Sequence, residues 1–163
     1  MESPLKDQYR TVPESALITL RAVGSLGENV TCSVATGRAL IEAGLHPATG
    51  GTGLSACSGD LLLQALVACA GVTLSAVATS LGIPVRGANL TAEGDLDFRG
   101  TLGVSKEVPV GFKRIRLIID LDSDASPSEK QKLVKLTKRY CVVYQTLVHG
   151  PVTTVECRAA DVE

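Results

Sequence analysis

Apolar and polar residues alternate with two different periods along this chain, and the switch between them lays out its elements. Ala16 to Val23 and Asn29 to Ala35 read as strands, separated by Gly24-Ser25-Leu26-Gly27, a hairpin signal. Arg38 to Ala43 is a candidate third strand. From Leu61 to Val85 no residue is charged, and small residues recur at helical spacing, as in Ala65/Cys69 and Ala68/Val72/Ala76. Gly82 and Pro84 bound this helix. Apolar on nearly every side, it belongs in a core or a subunit interface, which predicts a homodimer built around Leu61 to Leu81. A run of this length can also span a bilayer. Against that, Gln64, Thr73, Ser75, Thr79 and Ser80 lie within it and no second such run follows, so no membrane partner is expected.

Val85 to Phe98 alternates as a long strand broken at Gly87 and Gly94, and Phe112 to Leu121 sets Ile115, Leu117, Ile119 and Leu121 on one face. A second helix opens at Ser126-Pro127-Ser128-Glu129, where Ser126 caps, Pro127 takes the first helical position and Glu129 completes a capping box. Leu133, Leu136, Tyr140, Val143, Tyr144 and Leu147 form its apolar stripe. The β-branched pair Val142-Val143 predicts a kink or restart near Cys141, and His149-Gly150-Pro151 ends the element. Val152 to Cys157 closes the chain as a strand. The order β-β-(β)-α-β-β-α-β predicts an α+β fold with an antiparallel sheet rather than a doubly wound parallel one.

The 163 residues, 45% hydrophobic and 20% charged, make one domain over 1–163, with residues 1–15 as a flexible N-terminal tail. A domain of that size buries roughly 70% of its unfolded surface and needs neither disulfide nor metal to hold a core. Sixteen basic residues against seventeen acidic ones, no Trp, two Phe and three Tyr argue against a nucleic-acid partner, which calls for a basic surplus and aromatic stacking platforms. The first fifteen residues hold no apolar run and do not read as a signal peptide. Five cysteines, Cys32, Cys57, Cys69, Cys141 and Cys157, are an odd number without a CxxC, so they read as reduced thiols of a cytoplasmic protein.

Several candidate chemistries lack their residues. Gly50-Gly51-Thr52-Gly53 has no following GK[ST], and the spacing of a dinucleotide fingerprint is not met, so it reads as a flexible loop before the helix. His46 and His149 are the only histidines and sit beside turn residues, so neither a metal site nor a serine triad is expected, and no cofactor is implied. The basic residues around the second helix read as a solvated face. The cysteines remain. Cys69 lies in the middle of the uncharged helix and Cys141 on or just after the stripe of the second; if the two helices pack together, the thiols meet. Two buried core cysteines are the alternative reading.

The segment from Gly59-Asp60-Leu61 through Ala68-Cys69 resembles the first cysteine motif of the OsmC/Ohr family, the osmotically inducible and organic hydroperoxide resistance proteins. Lys138-Arg139-Tyr140-Cys141, followed by Thr146-Leu147, is similar to that family's second cysteine motif. The resemblance spans about residues 16 to 158. It implies an intertwined homodimer with antiparallel sheets wrapped around two central helices. It also implies reduction of organic hydroperoxides: Cys69 attacks as thiolate and becomes a sulfenic acid, Cys141 condenses with it to a disulfide, and an external dithiol restores both. A mid-helix cysteine gains nothing from its own helix N-terminus, so Cys69 is expected to need a cation. The family uses an arginine ahead of the helix, oriented by a glutamate near the helix start. Arg38 is the best match for that arginine; its other reading is a strand-end surface charge.

Three departures stand out. Gly59 occupies the position of the family's acidic residue, with Asp60 beside it; Val142 follows Cys141 where the family often has proline; and Ser55-Ala56-Cys57-Ser58 places an extra thiol near the helix entrance. The absent carboxylate leaves a second function open, a non-catalytic dimer of the same fold that binds a small apolar or electrophilic molecule in its interface pocket.

Overall fold

The computed structural model describes residues 23–26, 31–36, 39–103 and 105–158. The chain divides into two compact units, Met1–Cys57 and Ser58–Glu163.

The first unit carries one four-stranded sheet in the order β1 (Val23–Leu26), β2 (Thr31–Thr36), β3 (Ala39–Gly44) and β4 (Ala56–Cys57). The β1/β2 and β2/β3 pairs are antiparallel, and the two-residue β4 runs parallel to β3. The hairpin lies later than its glycine signal indicates. Gly24, Ser25 and Leu26 are strand residues opposite Val34, Ser33 and Cys32 rather than a turn, and residues 27–30 lie outside the described residues. The ladder satisfies the glycine's backbone groups, and that outweighs its weak strand preference. The third strand forms, starting at Ala39. Arg38 and the tail 1–15 also lie outside the described residues.

The glycine cluster is a folded turn. Thr49 donates both its N–H and its hydroxyl to the His46 carbonyl, each at 2.8 Å, and the Gly51 N–H reaches the same oxygen at 3.1 Å. A Cβ on Gly51 would sit 1.7 Å from the Leu45 carbonyl oxygen, so the close backbone approach there requires glycine.

The second unit is built on α1 (Ser58–Leu81), which starts three residues before the uncharged run. It stops at Gly82, whose φ of 65° turns the chain left-handed. The Gly82 and Ile83 N–H groups cap the Thr79 and Ala78 carbonyls at 3.2 and 3.0 Å, the Schellman arrangement. One flank of α1, Leu66, Ala70, Leu74, Val77 and Ala78, is buried. The opposite flank is uncharged yet open, with Val72 72% exposed. By length and composition alone this helix is apolar enough to cross a membrane, but its buried flank belongs to a protein core, set against β5, α3 and α4.

β5 (Gly87–Asp95) and β6 (Arg114–Asp122) pair antiparallel in full register, from Gly87 opposite Asp122 to Asp95 opposite Arg114. Gly94 does not break the strand; the Phe112 ring lies where its side chain would project. Ile115, Leu117, Ile119 and Leu121 share the inner face as their spacing predicts, together with Ala88, Leu90 and Ala92 of β5. On the outer face Arg116 bridges Glu93 at 2.9 Å and Asp95 at 2.6 Å. A four-residue helix, α2 (Phe98–Thr101), lies between the strands.

α3 (Pro127–Tyr140) opens with the predicted capping box: the Glu129 N–H donates to the Ser126 hydroxyl at 3.3 Å, and the Ser126 N–H to the Glu129 carboxylate at 2.8 Å. The chain then restarts as α4 (Val142–Val148), which ends at His149. The fold is α+β with antiparallel pairing, as the element order predicts. The closing strand is not formed: residues 151–158 carry no regular structure, and Val152 and Val155 are 97% and 94% exposed. A strand exists only through its ladder, and no described strand of this chain pairs with that segment.

Candidate functional site

Cys69 sits halfway along α1 and Cys141 at the joint between α3 and α4, and the packing of these helices sets Cys69 against the cluster that holds Cys141, where the two thiols influence each other's ionisation. Cys141 is 1% exposed and forms a buried cluster with Leu66 and Ala70, while Cys69 is half-buried at its edge. Cys141 is the last cap of one helix and the first cap of the next. Its N–H donates to the Thr137 carbonyl at 2.9 Å, and its sulfur accepts the Tyr144 N–H at 3.5 Å. Its ψ of 108° turns the chain out of helical geometry.

That turn liberates backbone donors. In an unbroken helix the Val142 N–H would bond the Lys138 carbonyl. Here that carbonyl accepts the Gln145 side-chain amide at 2.7 Å instead, and the N–H groups of Val142 and Val143 are near enough to the Cys69 sulfur to favour its thiolate. Thr73, one turn along α1, places its hydroxyl 2.7 Å from the Cys69 carbonyl and also within reach of the sulfur.

The electrostatics follow from this geometry. Burial works to raise the Cys69 pKa. The Val143 amide, the Cys141 thiol, the Val142 amide and the Thr73 hydroxyl outweigh it, and Cys69 ionises below the ordinary thiol value. For Cys141 burial dominates and Cys69 adds to it; the Tyr144 and Val143 amides offset only part, and its thiol is held above the ordinary value. The pair is thus polarised, with the thiolate favoured on the more accessible sulfur.

The cation that Cys69 is expected to need has its candidate, Arg38, in a part of the chain that the structure does not describe. Among the described residues, the groups that favour the thiolate are the Val142 and Val143 amides of the following helix, with the Cys141 thiol and the Thr73 hydroxyl. Sequence reasoning misses these donors because a backbone N–H leaves no mark on side-chain pattern. Two signals were present nonetheless: the β-branched pair that marks the restart, and Val142, which keeps an N–H where a proline would have none. Arg38 falls outside the described residues. Asp60 is no stand-in for the carboxylate absent at Gly59. Nine positions at about 100° each place it about half a turn around α1 from Cys69, and it lines a separate hollow with Gln64 and Val67. Of the other cysteines, Cys32 lies in β2, Cys57 in β4, and Cys157 is exposed in the terminal segment. Among the described residues no cluster of His, Cys, Asp or Glu is suited to a metal ion.

A cleft of about 490 Å3 lies beside the cluster that encloses Cys141. Leu66, Ile115, Leu117, Tyr144 and Leu147 line it and also pack around Cys141, and Lys113 and Arg114 contribute to its rim. A second cleft, about 680 Å3, lies toward the C-terminal end of α1, and neither cleft has a cysteine in its wall.

The family model for OsmC-like proteins matches residues 51–156, more than half the chain and inclusive of both cysteines. A search of curated protein sequences finds no match. Among solved structures, an OsmC-like protein from Mycoplasma pneumoniae superposes with a TM-score of 0.69 at 16% identity, over 82% of this chain and 89% of that one. An organic hydroperoxide resistance protein from Legionella pneumophila gives 0.64 at 21% identity, over 83% and 92%. The organic hydroperoxide resistance protein of Bacillus subtilis gives 0.57 at 22% identity, over 83% and 93%. At these identities the structures speak for the fold, and the sequence match speaks for descent. With the matched segment enclosing both cysteine helices and the strands between them, this chain belongs to the OsmC/Ohr family of OsmC-like proteins.

Proposed function

We propose that this protein is a thiol-dependent peroxidase that reduces organic hydroperoxides through Cys69 and Cys141. The observation that carries the reading is the meeting of Cys69 of α1 and Cys141 of the α3–α4 joint at one buried cluster, in surroundings that favour the thiolate on Cys69 and oppose it on Cys141. The Cys69 thiolate attacks the terminal peroxide oxygen, the O–O bond breaks, and the departing alkoxide takes a proton to leave as alcohol. Cys69 is then a sulfenic acid. The Cys141 sulfur displaces its hydroxyl, which leaves as water, and a disulfide forms. An external dithiol supplies two electrons and two protons to restore both thiols. The apolar wall of the cleft beside the Cys141 cluster supports an organic peroxide over hydrogen peroxide, because burying the alkyl group there adds binding that the smaller oxidant lacks. Arg38 is proposed as an additional cation for Cys69. The open, uncharged flank of α1 supports a homodimer, which sedimentation at micromolar concentration should show.

Stopped-flow oxidation of the reduced protein tests the reading. An alkyl hydroperoxide should oxidise it at least tenfold faster than hydrogen peroxide, about 1.4 kcal/mol of selectivity, and Cys69→Ser should abolish the reaction. Gly59 favours a second reading, a dimer that binds a small apolar molecule in the cleft without turnover. Inertness toward both peroxides would establish that reading over the first.

A further inference from the structure

The break between α3 and α4 needs something to hold it. Helices end with carbonyls that lack amide partners, and the easiest partner for the Lys138 carbonyl is the Val142 N–H, four residues on. Were that bond to form, the helix would extend through the joint and draw the amide away from Cys69. The Gln145 side chain already occupies that carbonyl, at 2.7 Å. Gln145 is itself anchored, its N–H on the Cys141 carbonyl at 2.9 Å and its carbonyl accepting from the His149 N–H at 2.9 Å. One residue of α4 therefore clamps the last turn of α3 from across the break.

We infer that Gln145 is a positioning residue for Cys69: by occupying the Lys138 carbonyl it keeps the joint open and the Val142 and Val143 amides directed at the sulfur. It touches neither sulfur in this role and acts through the backbone. The inference rests on the reading of Cys69 as the attacking thiol. It also explains how a chain with Gly59, and no carboxylate there to orient an arginine, still favours the thiolate: the donors are amides fixed by the fold.

The chain offers its own control. Proline fits the first position of a helix and carries no N–H, so Val142→Pro removes one donor while leaving the α4 start acceptable. The measurement is the pH profile of iodoacetamide alkylation at Cys69, followed in the full chain by mass spectrometry of the Cys69 peptide. Wild type should titrate below about 8.5, the free-thiol value. Gln145→Met, close in size but without a donor, should move the midpoint up by about one unit, the tenfold loss of thiolate that one charge-assisted hydrogen bond can account for. Val142→Pro should do the same. The double variant should lie no higher than Val142→Pro alone, because the proline has already removed the donor that Gln145 keeps free. Gln145→Lys, which keeps a donor for the carbonyl, should titrate no higher than wild type.

An unshifted Gln145→Met profile, full additivity in the double variant, or a Gln145→Lys profile as high as that of Gln145→Met would each overturn the proposal. A lowered melting temperature in Gln145→Met without a change in profile would do the same, reducing Gln145 to a structural role. Alkylation needs no peroxide, so the two readings fail separately. If the cycle behaves as described while no peroxide oxidises Cys69, the positioning role stands and the peroxidase reading falls; the opposite combination removes Gln145 alone.

Discussion

Cys141→Ser will still be oxidised by an organic hydroperoxide but will not sustain turnover. Serine is among the favoured residues at a helix start, and its hydroxyl can take the Tyr144 N–H in place of the Cys141 sulfur. The joint between α3 and α4 is thereby kept, along with the Val142 and Val143 amides on Cys69. The first chemical step therefore proceeds at a rate close to that of wild type. No sulfur remains to condense with the sulfenic acid, so no disulfide forms. In excess peroxide Cys69 advances to the sulfinic acid, which ordinary thiols do not reverse. Intact-mass measurement should show one added oxygen and then two, and dithiol-supported turnover should decay within a few cycles. Sustained turnover at the wild-type rate without a disulfide would remove Cys141 from the resolving role.

The largest loss of stability is expected at Leu133. Its side chain is 0% exposed, enclosed by Leu74, Val77, Ala78 and Ile83 where α3 crosses α1. Leu133→Ala deletes three carbon atoms from a contact between two helices that cannot easily collapse onto the space. Such changes cost about 2–5 kcal/mol, a large share of the roughly 5–15 kcal/mol that a domain has in total. For a chain of this length the melting temperature should drop by about 10 °C. The cluster around Cys141 is a separate one, so the Cys69 alkylation profile below the transition should stay as in wild type. Urea unfolding measures the first effect. A loss under about 1 kcal/mol would mean that this crossing is not the centre of the core.

The parts of the fold that are local in origin were the legible ones. Ser126, Pro127 and Glu129 determine a helix start among themselves, and Val142-Val143 marks the restart because β-branched side chains crowd a helical turn. The inner face of β6 is read from alternation alone. What depends on a distant partner was not legible. Gly24 to Leu26 look like a turn until β2 lies alongside, and Val152 to Cys157 look like a strand although no described strand pairs with them. The cysteine pair was half legible: the uncharged helix and the stripe of the second let the thiols meet once those helices pack, and the family motifs imply their roles. The amides that polarise the pair were hidden, since every residue has one and only the break decides which are free.

Reduced protein holds these hydrogen bonds to sulfur, and a disulfide cannot keep them at the same strength. Whatever the amides of Val142 and Val143 contribute to the Cys69 thiolate, and that of Tyr144 to Cys141, stabilises the dithiol relative to the oxidised form. By linkage the reduction potential moves upward, about 30 mV for each tenfold of stabilisation in a two-electron couple. A disulfide poised this way yields to a mild reductant. In the proposed cycle, the donors that ready one sulfur for attack thus also make its oxidised state easy to undo, and a single interruption in a helix bears on both halves.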